Sequence, residues 1–177
     1  MAKKNKRIKK ILQEAMKYQK KCEINARAHF LQWEDSSNWN KRLGIPVIVL
    51  TTLVGSTLFA SKALGDSILL EIILGILSII AAILSALQVT LGLADEAEKY
   101  KSAGLRYRSM VRQFDLFIFK YSDKIDDDDT MDSIHEDFEM LVLKLDDLAV
   151  ESPSIKDKMY YKAASELEEE QKGVEKK

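Results

Sequence analysis

Apolar and polar positions alternate along this chain in two ways, and the change between them divides it. From Ile72 to Ala94 the sequence reads IILGILSIIAAILSALQVTLGLA, 23 residues without a charge between Glu71 and Asp95. A helix of that length rises roughly 35 Å at about 1.5 Å per residue, enough to cross a hydrocarbon layer of ~30 Å with some tilt. A second run, Leu43 to Ser61, holds 19 uncharged residues just upstream. Pro46 suits the first turn of a helix, so the first span is predicted over about 45–61 and the second over 72–94. Lys62 to Glu71 connects them, with Gly65-Asp66-Ser67 as turn and cap, and so short a link makes the spans antiparallel neighbours.

Outside these runs the period is helical and amphipathic. Ile8, Ile11, Leu12, Ala15, Tyr18, Cys22, Ala26, His29 and Trp33 step by threes and fours, with Lys and Gln on the other faces. Such a stripe requires a partner surface. Asp35-Ser-Ser-Asn38 is the expected end of this helix. Beyond the second span no breaker intervenes, so one helix is expected from about Ser67 to Tyr121. Its distal part carries a heptad-like seam of Ala97, Tyr100, Gly104, Tyr107, Val111, Phe114, Ile118 and Tyr121. The N-terminal stripe is the expected partner, with contact to another copy as the alternative. Ser133 and Glu136 form a capping box for a helix with Ile134, Phe138, Leu141, Leu145 and Leu148 on one side. Ser152-Pro153 ends it, and a last helix is expected from Ser154 to about Gln171.

The predicted fold class is therefore an all-α membrane protein: a two-helix hairpin with long cytosolic extensions packed as a bundle. Four segments follow: a basic N-terminal helix at 1–42, the hairpin at 43–94, the helical bundle at 95–172 and a disordered tail at 173–177. Only two prolines and seven glycines in 177 residues agree with a nearly all-helical chain.

Charge sets the expected topology. Residues 1–42 carry a net charge of +8, residues 62–71 of −1 and residues 95–177 of −8. Arg27, Lys41 and Arg42 precede the first span, and Lys99, Lys101, Arg106, Arg108 and Arg112 follow the second, while the connection holds only Lys62. The positive-inside rule then places both termini in the cytoplasm and the protein in the cell membrane as a multi-pass chain. Trp39, Lys41, Arg42 and Lys62 are the expected interface residues: an aromatic ring at the headgroup level and cations able to snorkel. Residues 1–10 read as a frayed basic arm, either solvated or against anionic lipid heads, where clustered cations gain roughly 1 kcal/mol each.

Small residues recur within the spans: Gly75, Ser78, Ala82 and Ser85 in the second, Thr52, Ser56 and Ala60 in the first, with Gly55 beside them. They let helices approach closely, and Gln88 adds a polar group near the end of the second span. These positions read as helix contacts within or between hairpins, or as the lining of a pore once several hairpins assemble. No span holds an Asp, Glu, Lys, Arg or His, and two helices cannot enclose a pathway alone, so a monomeric transporter is not expected. Phosphate-binding loops, nucleophile elbows and metal-ligand spacings are absent from the sequence, and the run Asp126 to Asp129 lacks the alternating ligands of a calcium loop. Cys22 is a lone cysteine, and Cys22 and His29 read as packing residues on their stripe; His135 falls in the first turn of its helix and is expected exposed. No enzyme, cofactor, metal or specific nucleic acid is expected. The expected partners are the lipid bilayer and further copies of the chain.

Three stretches carry a family resemblance: WNKRLGIP at 39–46 leading into VIVLTTLVGSTLF at 47–59, LADEAEKYKSAGLRYRSM at 93–110, and ESPSIKDKMYYKA at 151–163. In the last, Lys156 stands where the family often has a second proline. The arrangement resembles the SLATT domains, the SMODS- and SLOG-associating two-transmembrane effectors, over about residues 8–165. That resemblance implies a pore-forming or membrane-perturbing effector of prokaryotic conflict systems, triggered by a nucleotide signal or a sensor. The chain holds no nucleotide-binding or protease motif, so a separate sensor protein or the cytosolic helices would supply the trigger.

Overall fold

The computed structural model describes residues 2–64, 68–122 and 130–174, and all the elements in them are helices: α1 (Ala2–Leu64), α2 (Ile68–Leu91), α3 (Leu93–Ser122), α4 (Thr130–Glu151) and α5 (Asp157–Val174). The connection at Gly65-Asp66-Ser67 and the run Asp126 to Asp129 lie outside the described residues. By its internal contacts the chain divides into two units, Met1–Trp33 with Glu98–Lys177, and Glu34–Ala97.

Several boundaries differ from expectation. The helix does not end at Asp35-Ser-Ser-Asn38, and there is no separate first-span helix: α1 runs 63 residues from Ala2, with Pro46 in its interior. Ser and Asn cost a helix only a few tenths of a kcal/mol each, and strong formers flank them on the N-terminal side. Ser36 is itself buried. Pro46 removes one backbone hydrogen bond rather than opening a new helix. Nor do residues 2–10 form an arm separate from the first helix; they are its opening turns.

The expected single helix from Ser67 to Tyr121 is interrupted at Gly92, where φ is +54°. The Gly92 amide donates to the Val89 carbonyl (3.2 Å), and the Gly92 carbonyl accepts from the Glu96 amide (2.9 Å). The chain thus closes one helix and opens the next within a residue. Only glycine reaches this backbone region without a Cβ penalty, which is why the break falls here and not in the polar sequence that follows. The last helix starts at Asp157 rather than Ser154 and extends through Gly173 to Val174, into the segment expected to be a tail.

In the first unit the N-terminal stripe and the α3 seam share one core. Ile8, Leu12, Ala15, Cys22 and Ala26 of α1 pack with Tyr107, Met110, Phe114, Phe117 and Tyr121 of α3 and with Ile134, Leu141, Leu145 and Leu148 of α4. At its centre Tyr18 stacks on Phe114 (centroids 6.2 Å, planes 8° apart) and meets Phe138 edge-on at 6.0 Å. Phe117 contacts both Phe138 and Tyr121. Of the seam residues, Tyr100 is buried and its hydroxyl donates to the Ser154 carbonyl (3.1 Å), while Val111 is half-buried against the core.

Polar contacts fix the remaining edges. Arg27 reaches Glu166 (2.9 Å) and Glu170 (3.4 Å) on α5, and Arg106 reaches Glu151 (2.5 Å) at the end of α4. The Asp137 carboxylate accepts from Lys120 Nζ (2.8 Å) and from the Tyr121 hydroxyl (2.7 Å). These donors, Lys120 first, hold its carboxyl below the ordinary range.

Gly104 sets the spacing between α1 and α3. A Cβ built there would lie 3.2 Å from the Phe30 ring. Gly104→Ala therefore asks that ring to move by tenths of an ångström, whereas Gly104→Leu does not fit. The Leu variant should lose about 1–3 kcal/mol of stability, the usual cost of overpacking. Urea titration of the full chain in detergent, read by near-UV circular dichroism, checks this; an unchanged midpoint would refute the close approach.

Candidate functional site: the apolar segment of the second unit

In the second unit α2 is apolar nearly all round and exposed over most of its surface. Ile72, Ile73, Ile76, Ile79, Ile80, Ile83, Leu87, Val89 and Leu91 are all exposed, Val89 by 79%. At 24 residues α2 is about 36 Å long. Among the described residues one helix is long and apolar enough to cross a membrane, and almost none of its apolar window is buried. A core helix of a water-soluble domain has the opposite character: comparable apolarity, but covered.

One face of α2 is covered. Leu74, Leu77, Ala81, Leu84 and Gln88, spaced three, four, three, four, are buried or half-buried, and Ala81 is only 4% exposed. On α1 the half-buried positions are Leu43, Gly44, Val47, Leu50, Val54 and Gly55. Contact between the helices is explicit at one end. The Gln88 side-chain amide donates to Asn40 Oδ1 (3.1 Å), and a Cβ at Gly44 would meet Gln88 Nε2 at 2.9 Å.

This seam differs from the predicted one. Gly75, Ser78, Ala82 and Ser85 are exposed, and nothing lies within 4 Å of a Cβ built at Gly75. The small-residue stripe is therefore not the face α2 turns to α1. Leucines fill that contact instead, and Ala81 provides the single small position. Gly55 is half-buried with open space where a Cβ would point, and Ser56 is exposed. Of the predicted contact residues only Gln88 and Gly55 fall on covered faces. Asn40, Ala81 and the three leucines were missed. Their three-four spacing is present in the sequence, but in a uniformly apolar run every face shows it.

Five hydroxyls of this segment are satisfied from within. Thr51 donates to the Val47 carbonyl (2.8 Å), Thr52 to Ile48 (2.7 Å), Ser56 to Leu53 (3.0 Å), Ser78 to Leu74 (2.8 Å) and Thr90 to Ala86 (2.8 Å). Each bond stays inside its own helix, so these exposed side chains do not depend on water. Trp39 is half exposed with the Arg42 guanidinium 5.7 Å above its ring, and Lys41 is exposed beside it. The interface expectation for Lys62 lies outside the described side chains.

Among the described residues no group of three or more His, Cys, Asp or Glu side chains could hold a metal ion. Fold and segment together define a class: an all-helical chain in its described residues, carrying one largely exposed apolar helix of membrane-crossing length. No family model, curated protein or solved structure matches this chain.

Proposed function

We propose that this chain is a multi-pass protein of the cell membrane, spanning it as a two-helix hairpin at about 45–61 and 72–94 with both termini cytoplasmic, and that it assembles with further copies to form a pore or perturb the bilayer. The SLATT resemblance adds a setting: an effector in a prokaryotic conflict or nucleotide-signalled system, acting with a separate sensor. The observation that carries the membrane part is α2, whose apolar surface is mostly exposed and whose Ser78 and Thr90 hydroxyls bond back to their own helix. In water so large an exposed apolar surface would aggregate; in hydrocarbon it is stable.

The assembly part draws on the stripe Gly75, Ser78, Ala82 and Ser85, which α1 leaves open. Small side chains allow a second helix to approach closely. Chains reconstituted in lipid vesicles should release a trapped ion or dye, and Ser78→Phe or Ser85→Phe should abolish release. Vesicles that stay sealed around correctly inserted protein would reject the pore.

One observation favours a second reading, a non-conducting anchor whose soluble helices bind a partner. Met140, Leu143 and Val150 form an exposed apolar row on α4. If residues 45–61 and 72–94 can be exchanged for unrelated apolar spans without loss of activity, the anchor reading is correct.

A further inference from the structure

His29 sits on α1 in the first unit, 1% exposed. Its ring stacks on Tyr107 of α3 (centroids 5.2 Å, planes 20° apart) and lies 6.1 Å from Tyr100. Its Nδ1 is buried without a hydrogen-bond partner, and so is Gln32 Oε1, one turn further along the same helix. Buried polar atoms are nearly always paired, so two orphans in one layer of a helix contact require a reason.

We propose that His29 is a proton-operated latch between α1 and α3: the neutral ring lies flat in the contact and holds it shut, and the imidazolium, with no carboxylate there to balance its charge, opens it. The surroundings leave no other place for the charge. From α3 the ring meets the phenols Tyr100 and Tyr107, and from its own helix the nearest titratable group on the stripe is Cys22. Arg27 is engaged with Glu166 and Glu170 of α5, and Arg106 with Glu151 at the end of α4. Burial alone pushes His29 down to about 4, and no charged neighbour contributes.

The sign follows from linkage. A histidine held neutral in the folded state binds fewer protons than the unfolded chain does below about pH 6.5. Its contribution to stability is complete above that pH and is lost as the pH falls toward 4. The equilibrium constant for opening this unit should therefore rise about a hundredfold between pH 7 and pH 4 through His29 alone. The inference does not depend on the membrane reading, because it concerns the other unit.

The chain has only two histidines, His29 and the exposed His135, so the imidazole Cε1–H signals of the full chain in detergent are assigned by one His135→Asn variant. The His29 signal should move only over the pH range in which near-UV dichroism reports loss of tertiary structure. In His29→Gln and His29→Phe the rise of the opening constant from pH 7 to pH 4, read from urea titrations at each pH, should shrink by most of that hundredfold; Phe keeps a flat ring against Tyr107. The Asp137 pair also weakens in acid, so Asp137→Asn measures that share separately. If His29 titrates with tertiary signals intact, or if both variants keep the wild-type pH profile, there is no latch. Should neither variant fold at pH 7, the titration of the unaltered chain decides by the same criterion.

Discussion

Phe114→Ala should destabilise the first unit by about 3–5 kcal/mol, the range for emptying a fully buried aromatic site. Phe114 is 0% exposed and lies where three helices meet: Tyr18 of α1 stacks on it, and Tyr18 in turn meets Phe138 of α4. Its removal takes away its own transfer free energy and leaves a void that stiff aromatic neighbours cannot close. Single domains are stable by about 5–15 kcal/mol, so the variant approaches the threshold of folding. Phe114→Leu keeps most of the volume and should cost well under half as much. Urea titrations of the full chain in detergent, read by near-UV dichroism, compare the two. Equal and small losses would mean that this aromatic cluster is not the centre of the unit.

The second large effect belongs to α2. Ile76 and Ile83 are two turns apart on one side of the helix and both are more than half exposed. Placing arginine at both positions costs roughly 2.5–3.5 kcal/mol apiece near the centre of a spanning helix. Ile76→Arg with Ile83→Arg should therefore move most of the chain out of the fraction that resists carbonate extraction. Ile76→Leu with Ile83→Leu should leave it there. Leu116→Arg serves as a control, because Leu116 is as exposed but belongs to the other unit, on a helix with charges on its surface. Were the double arginine variant retained like the parent, α2 would not lie in hydrocarbon. Were the parent soluble without detergent, the membrane reading would fail as well.

The two stability variants and the two membrane variants test parts of the chain that differed in legibility. The core stripes were legible because polar residues bracket them. Ile8 to Ala26 and Tyr100 to Tyr121 stand out against Lys, Arg and Glu, and only one helix face is available to bury. The contact face of α2 was not legible, because Ile, Leu, Ala and Ser fill every direction. The choice of Leu74, Leu77, Ala81 and Leu84 over the small-residue stripe rests on how side chains fit against α1. Helix ends are not legible where local preference is weak. Ser36, Ser37 and Asn38 suggest a cap, but three residues of modest cost do not stop a helix that long flanking formers sustain. Gly92 gives no signal for the opposite reason: it sits among strong helix formers, and only its positive φ marks the break. The orphaned atoms of His29 and Gln32 had no sequence signal at all, since pairing is a property of neighbours and not of spacing.

Cys22 is the chain's one cysteine, fully buried in the shared core, and burial raises its thiol to about 12. A thiol in that state is protonated at neutral pH and out of reach, so thiol-specific reagents should pass it by while the helices stay together. The protein thus carries a tamper seal of its own: a single internal mark that no label touches until the helices part. In living cells, whether that mark accepts a permeable maleimide would distinguish resting molecules from opened ones without a single engineered residue.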